Sequence, residues 1–318
     1  MSASFVVAAA ASLPLAADPA PLTATEDAYP VLSPDGKTLL FQSNRLGRWA
    51  LFLADADGKK VRVFLDSRDD PSVPVWSPDG RSIAFVASVE EQTEIFVIGA
   101  DGSGRRRLTH QPGDDSHPHW SSDGRIFFNS ARATPDLEAD WARQWHNIFS
   151  MNPAGGDIRQ HTRCQTVCTY AVPSPDGRKL AFRKVIDAPG LDWALRNIAR
   201  NSEVVVADMD GANEVNLTRH AAFDGWPTWS SDGKWIVFSS NRTGRPNAGQ
   251  LFAVRADGND LTQLTDSARS YVQHSFAPDA ASLYVSQTTE ALDGSWTYSH
   301  IVRVPVKQLN DEKPHEDR

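Results

Sequence analysis

The tetrapeptide Ser33-Pro34-Asp35-Gly36 returns five more times along the chain, and its spacing restricts the fold more than any other feature. It recurs intact at residues 77–80 and 174–177, as Ser-Ser-Asp-Gly at 121–124 and 230–233, and in the degraded form Ala277-Pro278-Asp279-Ala280. The motif aspartates, 35, 79, 123, 176, 232 and 279, stand 44, 44, 53, 56 and 47 residues apart. Self-similarity at that period marks a repeat architecture, in which each copy is one supersecondary unit that buries its apolar faces against its neighbours. Proline presets φ for a tight turn, and glycine accepts the positive φ that closes it.

Around each turn the same order of elements repeats. An extended stretch ends in Leu32, Trp76, Trp120, Pro173, Trp229 or Phe276 just before the turn. An apolar strand follows, at 38–41, 83–86, 180–182 and 235–238, then a loop and a third strand at 51–54, 95–98, 148–151, 204–207 and 251–254. A second tight turn uses Asp57-Gly58, Asp101-Gly102, Asp210-Gly211 or Asp257-Gly258. A short fourth strand ends in Leu108-Thr109, Leu217-Thr218 or Leu264-Thr265. Four short strands per unit with no helical periodicity predict an all-β fold, a six-bladed β-propeller of four-stranded antiparallel blades. The sixth unit runs out after its third strand, at 300–306, while Leu22-Thr23 matches the end of a fourth strand. An N-terminal strand is therefore expected to complete the last blade, closing the ring and removing a sheet edge open to aggregation.

At its Trp-Ser-Pro-Asp-Gly and Ala-Asp-Gly…Leu-Thr motifs the chain resembles the TolB-like, WD-repeat-like β-propeller family, over residues 21–309. The resemblance implies the six-bladed fold. It says less about function, because the same module serves in periplasmic translocation proteins, in the propellers of prolyl-oligopeptidase-type peptidases and in lyases. No Gly-x-Ser-x-Gly nucleophile elbow occurs in the sequence.

Residues 1–20 read as a signal peptide or a disordered N-terminal segment. Residues 5–17 form an Ala-rich apolar run, and Ala16 and Ala17 precede Asp18 as small residues precede a cleavage site, although a positively charged start is lacking. The run is shorter than the roughly 20 residues a membrane-spanning helix needs. A periplasmic or secreted protein is expected, with a charged tail at 310–318. Cys164 and Cys168 would close a small disulfide in an oxidising compartment and stay thiols in a reducing one. A net charge of −8 argues against nucleic acid as a partner, since phosphates need a clustered cationic surface. Cationic ligands, sugars, peptides and proteins stay open, and a monomer is expected.

Loop lengths separate two faces. Tight Asp-Gly turns trim one, while longer connections at 131–147, 184–202, 241–250 and 288–299 collect on the other, the rim of a central funnel. At the starts of the first strands, nearest the axis, stand Asp115, His117, Tyr170, Asp224, Trp226 and His274. These are candidate ligand-binding residues, together with Arg45, Arg132 and Arg242, each four residues beyond a strand-end apolar residue. Two arrangements suit them. The carboxylates pair with those arginines, or Asp115, His117, Asp224 and His274 converge to hold a divalent cation or to act as an acid/base pair. His119 stands where other units have Val31, Val75 and Val172, so it reads as a packed histidine. Trp141, Trp145, Trp193 and Trp296 place indoles on the rim, either to stack on a sugar or grip a peptide, or as the private cores of their loops. The leading expectation is a cell-envelope binding or scaffold propeller that recognises a peptide, protein or glycan on the long-loop face. The alternative is a lyase or hydrolase using funnel His and Asp residues, with or without a divalent cation bound in the funnel.

Overall fold

The computed structural model describes residues 26–139, 144–186, 202–244, 249–290, 296–306 and 309. Its strands, β1 to β23 in chain order, form six antiparallel sheets, and no α-helix occurs among the described residues. Blade 1 runs β1 (Asp27–Leu32), β2 (Thr38–Ser43), β3 (Ala50–Asp55), β4 (Arg62–Leu65), in that spatial order. The first strands of the next five blades are β5 (Ser72–Trp76), β9 (Asp115–Trp120), β13 (Cys168–Pro173), β17 (Asp224–Trp229) and β21 (Ser270–Phe276). The sixth sheet contains β21, β22 (Ser282–Glu290) and β23 (Trp296–Pro305). Leu22-Thr23, expected to supply its fourth strand, lies outside the described residues. Blade 1 packs directly on blade 6: Ser275 Oγ donates to Pro30 O at 2.6 Å and Tyr284 OH to Ala56 O at 2.8 Å.

The recurring tetrapeptide is a self-contained hydrogen-bond unit. Ser33 Oγ donates to Asp35 Oδ1 at 2.6 Å, and the same hydroxyl accepts from Thr38 N at 3.0 Å. Asp35 Oδ1 also accepts from Lys37 N at 3.1 Å, while Gly36, at φ 72°, donates its N–H to Ser33 O. The Ser33 hydroxyl and the Lys37 amide hold the Asp35 carboxyl below its usual range. The same bonds are made around Ser77, Ser174 and Ser230. The motif's serine hydroxyl, one aspartate oxygen and the glycine N–H are thus used where they stand.

Each second strand carries a run of consecutive apolar residues, such as Leu39–Phe41, because both faces of a blade are covered by neighbours. Leu39 and Phe41 pack towards Tyr284 and Ile301 of blade 6, whereas the intervening Leu40 packs with Ile83 and Phe85 of blade 2. A second device fixes the long-loop end of several blades. Arg45 bonds both oxygens of Asp27 at 2.8 and 2.9 Å, donates to Ser43 Oγ, and lies 4.7 Å from the Phe52 ring centre. Arg132 bonds one oxygen of Asp115 and Ser130 Oγ beside the Phe128–Phe149 pair, and Arg242 one oxygen of Asp224 and Ser240 Oγ beside the Phe238–Phe252 pair.

Candidate functional site

The first strand of every blade carries a bulge that aims one side chain at the axis. In blade 1, Ala28 pairs with Gln42 and Val31 with Leu40, so two residues of β1 oppose a single residue of β2. Tyr29, inside that bulge, has φ 52°. Equivalent breaks place Val73 (φ 48°), His117 (φ 51°), Tyr170 (φ 57°), Trp226 (φ 50°) and Gln273 (φ 52°) in the same left-handed conformation. A side chain in that region costs on the order of 1–2 kcal/mol, so six repeats of it need support from their surroundings. Part of that support is visible. Proline follows in four of the six bulges, at Pro30, Pro74, Pro118 and Pro227, and has no N–H to lose from the ladder. The freed amides find partners on the preceding blade: Val73 N donates to Gln42 Oε1 at 2.7 Å and Tyr29 N to Ser286 Oγ at 3.2 Å.

The six residues line an axial cavity of about 130 Å³ that continues between the flanking valines and prolines. Tyr29 OH lies 3.2 Å from His117 Nε2, and Ser116 Oγ lies 3.1 Å from His117 Nδ1. The His117 and Tyr170 rings meet edge-on at 4.4 Å, the Tyr170 and Trp226 rings at 5.4 Å, and Phe223 supports Trp226 at 5.2 Å. A second cavity of about 350 Å³ opens off the axis, towards the long-loop face and between blades 2 and 3. Tyr29, Val73 and His117 form the wall shared by both. Asp114, Ser116, Asn129 and His146 contribute polar groups to the off-axis pocket. Cys164 and Cys168 are joined in a disulfide. Cys168 donates its N–H to His146 O and opens the strand that bears Tyr170, so the linked loop ties the two cavities' walls together.

Burial dominates the electrostatics here. It holds His117 at about 3 and His146 at about 4, with Arg183 opposing the proton on both. Burial also pushes Tyr170 up to about 12 and Tyr29 far above the ordinary phenol range. At neutral pH the axial wall therefore offers uncharged hydrogen-bonding groups and ring faces. A neutral imidazole so hard to protonate is a weak base, which disfavours acid/base work by His117.

A family model described as the TolB β-propeller domain matches residues 30–187. This chain belongs to the TolB-like β-propellers. It is 32% identical over 95 residues to an uncharacterized protein of Agrobacterium fabrum, covering 30% of this chain and 27% of that one. It is 36% identical over 47 residues to the Tol-Pal system protein TolB of Desulfosudis oleivorans, covering 15% and 11% of the two. The solved TolB of Acinetobacter baumannii superposes with a TM-score of 0.64 at 22% identity, over 78% of this chain and 56% of that one. At that identity the likeness speaks for the fold.

Within this TolB-like propeller the expected site residues divide into two groups. His117, Tyr170 and Trp226 meet at the axis, and His274 lines the axial cavity beside them. Its Nε2 lies 3.2 Å from Val237 O, and burial holds it at about 4. Asp115 and Asp224 do not join them. Both side chains are fully buried in 2.7 Å ion pairs with Arg132 and Arg242, and Arg45 is spent on Asp27 in the same way. The reason is register: the aspartate begins each first strand, two residues before the bulge, so it faces the blade's own sheet end rather than the axis. Among the described residues, no three His, Cys, Asp or Glu side chains are placed to hold a metal. His119 also lines the axial cavity and is held at about 4 by burial. Trp141, Trp193 and the side chain of Trp296 fall outside the described residues. Val73, Asn129 and Asp114 complete the two cavity walls without having been singled out as ligand-binding. The X-Pro dipeptide two residues before each strand-end Trp or Leu was the available signal for Val73.

Proposed function

We propose that this TolB-like propeller is a binding scaffold of the cell envelope, and that a segment of a partner protein enters the axial funnel from the long-loop face. The observation that carries this reading is the ring of six left-handed side chains, one from each blade. Three of them, Tyr29, Tyr170 and Trp226, are large aromatics converging with His117 on one small volume. Aromatic anchors beside a few polar groups are the usual composition of a binding hot spot, and here the scaffold already holds them in place. The Tol-Pal membership of one relative supports a protein as the partner, and the Cys164–Cys168 disulfide suits an oxidising periplasm or exterior. Among the described residues no helix is long and apolar enough to cross a membrane.

The reading is tested by photo-crosslinking in cells. A photoreactive phenylalanine at Tyr170 or Trp226 should trap one discrete partner, and the same group at Lys59, beside an Asp-Gly turn, should not. Trp226→Ala should reduce partner recovery at least about tenfold while the melting profile is kept. A partner trapped equally well from Lys59, or none from the axis, would refute the assignment.

A further inference from the structure

We propose that the off-axis pocket receives a cationic group, a primary ammonium or a guanidinium, with Asp114 as its counter-ion. This adds a ligand chemistry to the face proposed above, and rests on that reading only for the source of the cation.

The Asp114 carboxylate is fixed before any ligand arrives. Its Oδ1 accepts from Thr93 N at 2.7 Å and from Thr93 Oγ1 at 2.8 Å, and both groups line the cavity. Its Oδ2 makes no hydrogen bond within the described residues. Asp114 is also the single formally charged side chain on a wall otherwise made of hydroxyl, amide, imidazole, phenol and aliphatic groups. Among the described residues no Lys or Arg lines the cavity. An anionic group would therefore meet a carboxylate with no compensating cation, whereas an ammonium or guanidinium completes a pair in a partly dehydrated space.

A second group points the same way. Asn129 is 2% exposed, its Nδ2 donates to Ser116 Oγ at 2.7 Å, and its Oδ1 is buried without a hydrogen bond of ordinary geometry. Hydrogen bonding by the Asn129 side chain favours protonation of the neighbouring His117. A buried carbonyl oxygen so placed can accept from an incoming donor, and an ammonium brings three while a guanidinium brings five. The Tyr29 ring, on the wall shared with the axis, adds an aromatic face of the kind cations favour. At about 350 Å³ the space admits a lysine or arginine side chain.

The test is calorimetric titration of the whole chain with N-acetyl-lysine methylamide, representing a partner's side chain, and with cadaverine, representing a free diamine. The norleucine analogue of the first serves as the uncharged control. One or both cations should bind and the control should not; whichever binds more tightly identifies the source. Asp114→Asn keeps an oxygen for Thr93 but removes the charge, and should weaken binding at least about tenfold. Should that variant fail to fold, the wild-type Thr93 amide resonance decides, because it reports directly on Asp114 and should move with the cation alone. Equal binding of the norleucine control, an unaltered affinity in Asp114→Asn, or no binding up to about 10 mM overturns the proposal. Cation binding without an axial crosslink would sink the scaffold reading and leave this one standing; an axial crosslink without cation binding would do the reverse.

Discussion

At the Ser-x-Asp-Gly turns the propeller repeats both a conformation and its residues, whereas at the first-strand bulges it repeats the conformation and changes the residue every time. Tyr29, Val73, His117, Tyr170, Trp226 and Gln273 share a φ near +50°. The chemistry explains the contrast. In the turn, serine hydroxyl, aspartate carboxylate and glycine conformation are all used to make the turn itself. In the bulge, the backbone is stabilised by proline and by neighbouring blades, so the side chain is released from any structural duty. One set of repeated positions builds the ring, and the other furnishes it.

The largest effect should come from the framework that connects the two, the buried aspartate–arginine pairs at the start of the first strands. Arg242→Ala leaves the Asp224 carboxylate buried without its partner, and a loss of about 3–5 kcal/mol is expected in urea unfolding. The turn-face pair Lys179–Asp208 has the same 2.7 Å separation but stands partly in solvent. Lys179→Ala should cost under about 1 kcal/mol. Similar losses at both sites would show that the ring does not depend on these internal pairs.

A smaller effect separates His119 from its aliphatic counterparts Val31, Val75 and Val172. Burial holds His119, His146 and His274 at about 4 and His117 at about 3. Each binds a proton more readily in the unfolded chain, so its contribution is intact above about pH 6.5 and is lost as the pH falls towards 4. Asp115 and Asp224 act in the opposite sense. Burial pushes each up to about 6 against the pull of its arginine, so these two favour folding more as the pH falls from 6 to 4. Four imidazoles outweigh two carboxylates, and stability should decline on acidification from pH 7 to 5. His119→Val should recover about 1–2 kcal/mol of that decline at pH 5. Calorimetry at the two pH values checks it, and an unchanged pH slope in the variant would count against a neutral packed His119.

The same contrast explains how much could be seen in the sequence. Blade number, strand order and turn positions were legible because the turn residues are bound by local geometry, and local geometry leaves a fixed pattern such as Ser33-Pro34-Asp35-Gly36. The candidate site was only half legible. Tyr170 and Trp226 could be placed near the axis by counting back from the turns, but nothing in composition says that a bulge reverses the direction of the side chain at Tyr29 or Val73. Asp115 and His117 are two residues apart, and simple alternation would put both on one face. The intervening bulge sends His117 to the axis while Asp115 meets Arg132. Asn129 carried no signal, because its place in the off-axis pocket depends on the neighbouring blade.

The smallest effect, and the sharpest test of what the turn residues are for, lies in the degraded sixth copy. Ala280 occupies the glycine position with φ 53°, and Ala277 replaces the serine, so that turn keeps the Asp279 bond to Ala281 N but lacks the hydroxyl. An L side chain at this φ crowds the following carbonyl, a cost glycine avoids, although glycine also gains freedom in the unfolded chain. Ala280→Gly should therefore stabilise the protein by about 0.5–1 kcal/mol net. Gly36→Ala supplies the mirror image. A Cβ there would meet nothing nearer than the Pro278 ring at 4.0 Å, so a loss of about 1 kcal/mol would measure the conformational cost alone, free of any clash. If the two substitutions shift the melting temperature in opposite directions by similar amounts, glycine serves these turns through φ alone. If Ala280→Gly destabilises instead, the sixth turn has adapted to its alanine, and the six copies are not energetically interchangeable at the position where they look most alike.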